Sequence, residues 1–143
     1  MERGNLHVTL AFLGSTPAGE LAAIAAALRE TAGAADELRF RVAGYRETRT
    51  VGMLALDDEG GRSRVFAEAL HGRLERLGVY RPERRPWLPH ITVLRFRERP
   101  RLVVSTLPRL GEFSPSDAAV YISRLRSGGA QYEVVEAVAL GGR

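Results

Sequence analysis

The chain has 143 residues, 45% of them hydrophobic and 27% charged, the make-up of an ordinary globular protein. It has no apolar run near the ~20 residues of a membrane helix, and Met1-Glu2-Arg3-Gly4 lacks the apolar core of a secretory signal, so a cytoplasmic location without membrane contact is expected. There is no cysteine and all 21 basic residues are arginine, for a formal charge of +4, which excludes a disulfide scaffold, a thiolate metal site, a cysteine nucleophile, a Schiff-base lysine and a Walker-type phosphate loop.

In chain order, Asn5-Leu6-His7-Val8-Thr9-Leu10-Ala11-Phe12-Leu13 reads as a strand. Ser15-Thr16-Pro17 reads as a helix start with a hydroxyl cap, and the alanine-rich stretch from Pro17 to Ala32 as a helix ending at Gly33. Leu38, Phe40 and Val42 alternate with Arg39, Arg41 and Ala43, the period of a half-buried strand. A turn near Thr48–Thr50 leads into the apolar strand Val51–Leu56, and Asp57–Gly61 is a loop. Ser63 to Leu77 is amphipathic, with Val65, Phe66, Ala69, Leu70, Leu74 and Leu77 expected on one face and Gly78 as the stop.

A loop with Pro82, Pro86 and Pro89 precedes the strand His90–Phe96. Residues 100–116 resist assignment because Pro100, Pro108 and Pro115 interrupt them, and the end reads as a hairpin, Ala118–Leu125 and Tyr132–Leu140, turning at Ser127-Gly128-Gly129. Short loops and hairpins imply antiparallel pairing, so α+β is favoured over a parallel doubly wound sheet, and no dinucleotide glycine fingerprint follows a strand.

The informative signal is a repeat. His7-Val8-Thr9-Leu10 recurs as His90-Ile91-Thr92-Val93, 83 positions later. Side chains alternate along a strand, so His7 and Thr9 share one face while Val8 and Leu10 share the other, and His90 and Thr92 separate from Ile91 and Val93 in the same way. Each strand buries an aliphatic face and presents imidazole plus hydroxyl on its open face. Two imidazoles act as acid and base together near neutral pH, and hydroxyls hydrogen-bond charged oxygens. Phosphodiester cleavage, with in-line attack and an oxyanionic transition state, needs that set. Two histidines this far apart, without a cysteine or an evident third ligand, speak against zinc, so no metal and no cofactor is expected.

The segments Asn5–Gly14 and Pro89-His90-Ile91-Thr92-Val93-Leu94-Arg95 resemble the two signatures of the 2H phosphoesterase superfamily, and the RNA 2',3'-cyclic phosphodiesterases, historically called 2'-5' RNA ligases, most closely within it. The Tyr121–Tyr132 hairpin also fits that group, and the resemblance runs from Asn5 to the C-terminus, loosest over 97–117. It implies a single domain over 1–143 with two pseudo-symmetric lobes, in which two mostly antiparallel sheets flank a central cleft and helices lie outside. It further implies hydrolysis of RNA 2',3'-cyclic ends to 2'-phosphates, with some members joining or cleaving 2'-5' linkages in tRNA fragments.

By the resemblance, His7 donates the proton to the leaving 3'-oxygen, His90 activates water, and Thr9 and Thr92 hold phosphate oxygens. Arg95 falls where the family often carries a phosphate-contacting arginine, yet by strict alternation its parity is opposite to His90, so a strand end or bulge is needed to turn it into the cleft. Relatives usually carry a strand and a helix before the first motif, whereas His7 lies near the start here. That implies an open sheet edge, lower stability and a dimer through that edge as the alternative to a monomer.

Two other readings stay open: a related substrate such as an ADP-ribose cyclic phosphate, and a module that binds phosphate-terminated RNA without turnover. Among the remaining residues, Trp87, Tyr45, Phe12 and Tyr121 are candidates to stack a base, with core packing the plainer role and Trp87, just before His90, the best placed. His71 reads as a flank of its helix rather than a catalytic group. Arg39, Arg41, Arg84 and Arg85 read as a solvated face or a cleft rim.

Overall fold

A computed structural model describes residues 6–96 and 111–140 of the chain. Asn5, where the expected first strand begins, and the stretch 97–110 with Pro100 and Pro108 lie outside the described residues.

The alanine-rich stretch forms helix α1, Leu21–Ala34, entered through a 3-10 turn at Ala18–Glu20. Ile24, Ala25, Ala27, Leu28 and Thr31 form its buried side. The expected hydroxyl cap is not made: Thr16 donates to the Gly14 carbonyl at 3.4 Å, and no side chain caps the helix. Gly33 does not stop it, since one more helical residue, Ala34, follows.

Strands β1, Phe40–Glu47, and β2, Val51–Asp58, pair antiparallel. Their turn is closed by the Thr48 hydroxyl, which accepts from the Thr50 and Val51 N–H groups at 3.3 and 3.2 Å. Gly60 and Gly61, with φ of 67° and 66°, make the left-handed turn from β2 into helix α2, Arg62–Arg76. Asp58 at the end of β2 reaches over that turn, its two carboxylate oxygens accepting from Ser63 N–H at 2.9 Å and Arg64 N–H at 3.0 Å. Two otherwise orphaned donors of the first turn are satisfied, by a carboxylate that suits the positive helix end. Gly78 stops α2 as expected: the Gly78 N–H bonds Glu75 O and the Val79 N–H bonds Leu74 O, a Schellman closure.

Helix α2 buries a narrower stripe than its sequence suggests. Ser63, Phe66, Ala67, Leu70 and Leu74 are buried, whereas Val65 is 66% exposed, Leu77 caps the helix at 39% exposure and Ala69 faces solvent. The difference arises because α2 meets the core along two adjacent rows, Ser63–Ala67 and Phe66–Leu70–Leu74, rather than over the wider face that would take in Val65, Ala69 and Leu77.

Strands β3, His90–Arg95, and β4, Glu112–Phe113, complete a four-stranded antiparallel sheet in the order β3-β2-β1-β4. Strands β5, Asp117–Arg126, and β6, Gly129–Ala139, form a second sheet, a hairpin turning at Ser127-Gly128. The architecture is α+β, as expected. Ile24 and Leu28 of α1, Phe66, Leu70 and Leu74 of α2, Phe40 of β1, Leu56 of β2 and Ala118 of β5 form one buried cluster. Both sheets therefore turn one face to the helices.

The expected strand 5–13 does not form a ladder. Among the described residues its one strand-type pairing is a single bridge at Val8, and the chain bends at Leu10. Val8, Leu10, Ala11 and Leu13 still pack against the core, so burial rather than ladder hydrogen bonds holds the segment. No helix among the described residues is long and apolar enough to cross a membrane.

Candidate active site

Val8 and Ile91 form an antiparallel bridge, and both pack against the core. Opposite residues of an antiparallel pair share a face, and their neighbours are matched crosswise. His7 therefore lies across from Thr92, and Thr9 across from His90, on the face turned away from the core. The four side chains form a small rectangle. The imidazoles occupy one diagonal, with β-carbons about 7 Å apart, and the hydroxyls occupy the other. The structure thus brings His7, Thr9, His90 and Thr92 together; Thr9 is exposed and the other three are half-buried.

The register of the large sheet extends the rectangle. His90 pairs with Ala55 and Ala55 with Gly44; Thr92 pairs with Met53 and Met53 with Arg46. One transverse row reads Thr9, His90, Ala55, Gly44. The next reads His7, Thr92, Met53, Arg46.

Arg95 joins this face through a bulge. Met53 pairs with Thr92 but Gly52 with Leu94, which leaves Val93 as an extra residue in β3. Arg95 then pairs with Val51, which shares its side of β2 with Met53 and Ala55. The parity that strict alternation denied is restored, and Arg95 lies exposed at the end of β3 on the histidine face. A second irregularity does the same in β1. Val42 pairs with Leu56 and Gly44 with Ala55, so Ala43 is extra, and Arg46 moves to the same face. Arg46 was not singled out from the sequence, because nothing local marks Ala43 as a bulge.

Hydrogen bonds hold the two motifs in place. The His90 Nδ1 lies 3.1 Å from the Leu88 carbonyl. A carbonyl only accepts, so Nδ1 carries the hydrogen and, in neutral imidazole, Nε2 is the bare acceptor. The Trp87 indole N–H donates to the Thr9 carbonyl at 3.0 Å, tying the loop before β3 to the first motif. His71, on α2, donates from Nε2 to the Leu10 carbonyl at 2.6 Å and stacks on Tyr80 at 4.6 Å. It anchors the first motif from the core side and is not among the facing histidines. Burial first, and then the Glu83 carboxylate, pushes the Tyr80 phenol above its ordinary value.

His7 meets the hairpin. Its ring lies edge-on to Tyr132 at 5.1 Å and 6.3 Å from Tyr121, and the two tyrosines are 6.1 Å apart. Tyr121 and Phe12 do not pack in the core, being 46% and 77% exposed. Tyr121 is lifted out by its place beside His7, and Phe12 by the loss of strand alternation after Leu10. Tyr45 bonds Glu47 at 3.1 Å and lies over Gly52. Arg41 reaches Glu112 at 2.9 Å, and Arg39 approaches Glu37 and Glu59 at 3.6 and 3.8 Å. Arg84 and Arg85 remain exposed in the proline loop.

A groove of about 400 Å³, lined by Phe12–Pro17 and Gly78–Arg81, contains none of the rectangle residues. Among the described residues no group of three or more His, Cys, Asp or Glu side chains stands close enough to share a metal ion.

Residues 1–126 match the model of the 2'-5' RNA ligase superfamily. Among solved structures, the chain is similar to TT0787 of Thermus thermophilus, at 30% identity and a TM-score of 0.77 over 96% of this chain and 79% of that one. It shares its fold with E. coli LigT complexed with 3'-AMP, at 24% identity and a TM-score of 0.75 over 96% and 78% of the two chains. LigT complexed with NADP+ is similar at 24% identity and a TM-score of 0.72, covering 96% and 77%. No curated protein matches the chain by sequence.

Proposed function

Because the chain belongs to the 2'-5' RNA ligase superfamily, we propose that it hydrolyses the 2',3'-cyclic phosphodiester at an RNA end to a 2'-phosphomonoester, with His7 and His90 as acid and base. The observation that carries this reading is the Val8–Ile91 bridge, across which two His-x-Thr copies face one another crosswise.

In this mechanism the cyclic phosphate lies over the rectangle. The bare Nε2 of His90 takes a proton from water, whose oxygen attacks phosphorus. The bond from phosphorus to the 3'-oxygen breaks, and His7 delivers its proton to that oxygen. Phosphorus stays bonded to the 2'-oxygen, so the products are a 2'-phosphate and a free 3'-hydroxyl. The Thr9 and Thr92 hydroxyls and the Arg95 guanidinium hold the non-bridging oxygens as charge builds there. Trp87 supports the substrate site by fixing the Thr9 backbone. All proton transfers run through imidazole, so the chemistry calls for no metal or cofactor.

The test is product analysis on an RNA oligomer ending in a 2',3'-cyclic phosphate, with and without EDTA. A 2'-phosphate that forms equally in both is expected. An intact cyclic end would make the protein a binder, and loss of turnover in EDTA would move the chemistry to a metal.

A further inference from the structure

The two imidazoles are oriented by different means. His90 is held by a hydrogen bond, its Nδ1 lying 3.1 Å from the Leu88 carbonyl. His7 stands in a corner made by two rings of the second sheet. The Tyr121 ring is tilted 30° from the imidazole plane with centroids 6.3 Å apart, and the Tyr132 ring meets the imidazole at 71° and 5.1 Å. The tyrosines lie 6.1 Å apart and at 79° to one another, so they form two walls near a right angle.

The register of the hairpin puts both walls on the same side. Val120 pairs with Glu136 but Tyr121 with Val134, which leaves Val135 as an extra residue in β6. Ala118, Val120 and Val138 pack on the core, and Tyr132 pairs with Ser123. Strict alternation from Val138 would send Tyr132 to the core side. The extra residue reverses its parity and sets it with Tyr121 and Ser123 on the other face, where it is half-buried. The bulges at Ala43 and Val93 bring arginines to the histidine face, and the one at Val135 brings a ring.

We infer that Tyr132 is a positioning residue for His7: its ring, with Tyr121 as the second wall, sets the plane of the imidazole that protonates the leaving 3'-oxygen. The inference rests on the proposed role of His7 as acid and deepens it. The last torsion of a histidine side chain is broad and two-fold, so a place on a strand does not by itself aim the ring nitrogens. A proton donor has to stand about 2.6–3.2 Å from the oxygen it serves, and a misplacement of about 1 Å costs on the order of 10²-fold in rate. Two rings at a steep angle restrict that torsion from both sides, whereas one ring leaves the imidazole free to slide along it. An electron-rich ring also suits an imidazole that begins the cycle protonated. The corner engages the acid alone, so the grip of Thr9, Thr92 and Arg95 on the phosphate does not depend on it.

The experiment measures kcat and KM on two substrates, a nucleoside 2',3'-cyclic monophosphate and its analogue with sulfur in place of the 3'-oxygen. A thiol is far more acidic than an alcohol, so the thiolate leaves without a proton and the analogue needs no acid. Tyr132→Leu is expected to lower kcat on the oxygen substrate about tenfold or more, with KM within about twofold and the sulfur analogue within about threefold of wild type. Tyr132→Phe, which keeps the ring, should recover the rate. Tyr121→Leu, at a site 46% exposed, should give the same pattern at smaller size, and it keeps the test informative if Tyr132→Leu melts early. Wild-type kcat in both leucine variants, or equal losses on the two substrates, overturns the inference. So does a Tyr132→Phe variant as slow as Tyr132→Leu, which would assign the effect to the hydroxyl. His7→Ala checks the acid itself and should lose the oxygen substrate while keeping the analogue. That pattern in His7→Ala without its counterpart in the tyrosine variants sinks the inference and spares the proposed function. A wild type inactive on both substrates, or a His7→Ala variant that loses both alike, removes the two together.

Discussion

Val8 and Ile91 lie opposite each other as an antiparallel bridge, and neither has any chemistry of its own. Their pairing aligns residues 83 positions apart and turns two separate His-x-Thr segments into one rectangle of two imidazoles and two hydroxyls. Both aliphatic side chains are held by the core they pack on, so the same burial that stabilises the protein sets the spacing of its imidazoles.

His7→Ala and His90→Ala are each expected to lower kcat by roughly 10²–10⁴-fold, since each removes one proton carrier. The wild-type rate should trace a bell against pH, because one imidazole must be neutral while the other is protonated, and its limbs belong to the pair. Stopped assays across the pH range, with circular dichroism of both variants, check this. Near-wild-type turnover in both would end the acid–base reading.

Arg95→Ala should weaken the grip on phosphate by the worth of a charge-assisted hydrogen bond, about 1.5–3 kcal/mol, or roughly 10–150-fold in kcat/KM. Deleting Val93 removes the extra residue and leaves Arg95 two places after Thr92, still opposite Val51 on the histidine face, so activity should survive where the shortened strand folds. An Arg95→Ala variant with wild-type kcat/KM would show that Arg95 does not contact the phosphate.

Trp87→Phe keeps the aromatic bulk and loses the bond from the indole N–H to the Thr9 carbonyl. A stability loss of about 0.5–1.5 kcal/mol is expected in urea denaturation. Turnover should fall further than stability alone explains, since Thr9 loses its backbone tie, and an unchanged kcat would confine Trp87 to packing.

Asp58→Ala removes the carboxylate that accepts from the Ser63 and Arg64 N–H groups. A cost of about 1–2 kcal/mol is expected, in the range of a lost helix cap. Phe66→Ala, at a position 2% exposed, should cost more, about 3–5 kcal/mol. The two midpoints, measured side by side, rank the cap below the core.

Alternation along a strand is a local property, so the shared faces of His7 with Thr9 and of His90 with Thr92 follow from the amino-acid order, as does the phosphoesterase chemistry they suggest. The hairpin, both helices and the stop at Gly78 were legible for the same reason, since turn and cap preferences act within a few residues. Which strands become neighbours is not local. The crosswise meeting of the motifs, the extra residues Val93 and Ala43 that carry Arg95 and Arg46 to the histidine face, and the tyrosines beside His7 depend on partner strands far away in the chain. A bulge exists only relative to the strand opposite, and burial of Val8 without a ladder exists only relative to the core beneath it. Packing of distant segments therefore decided how the readable parts were assembled into a site.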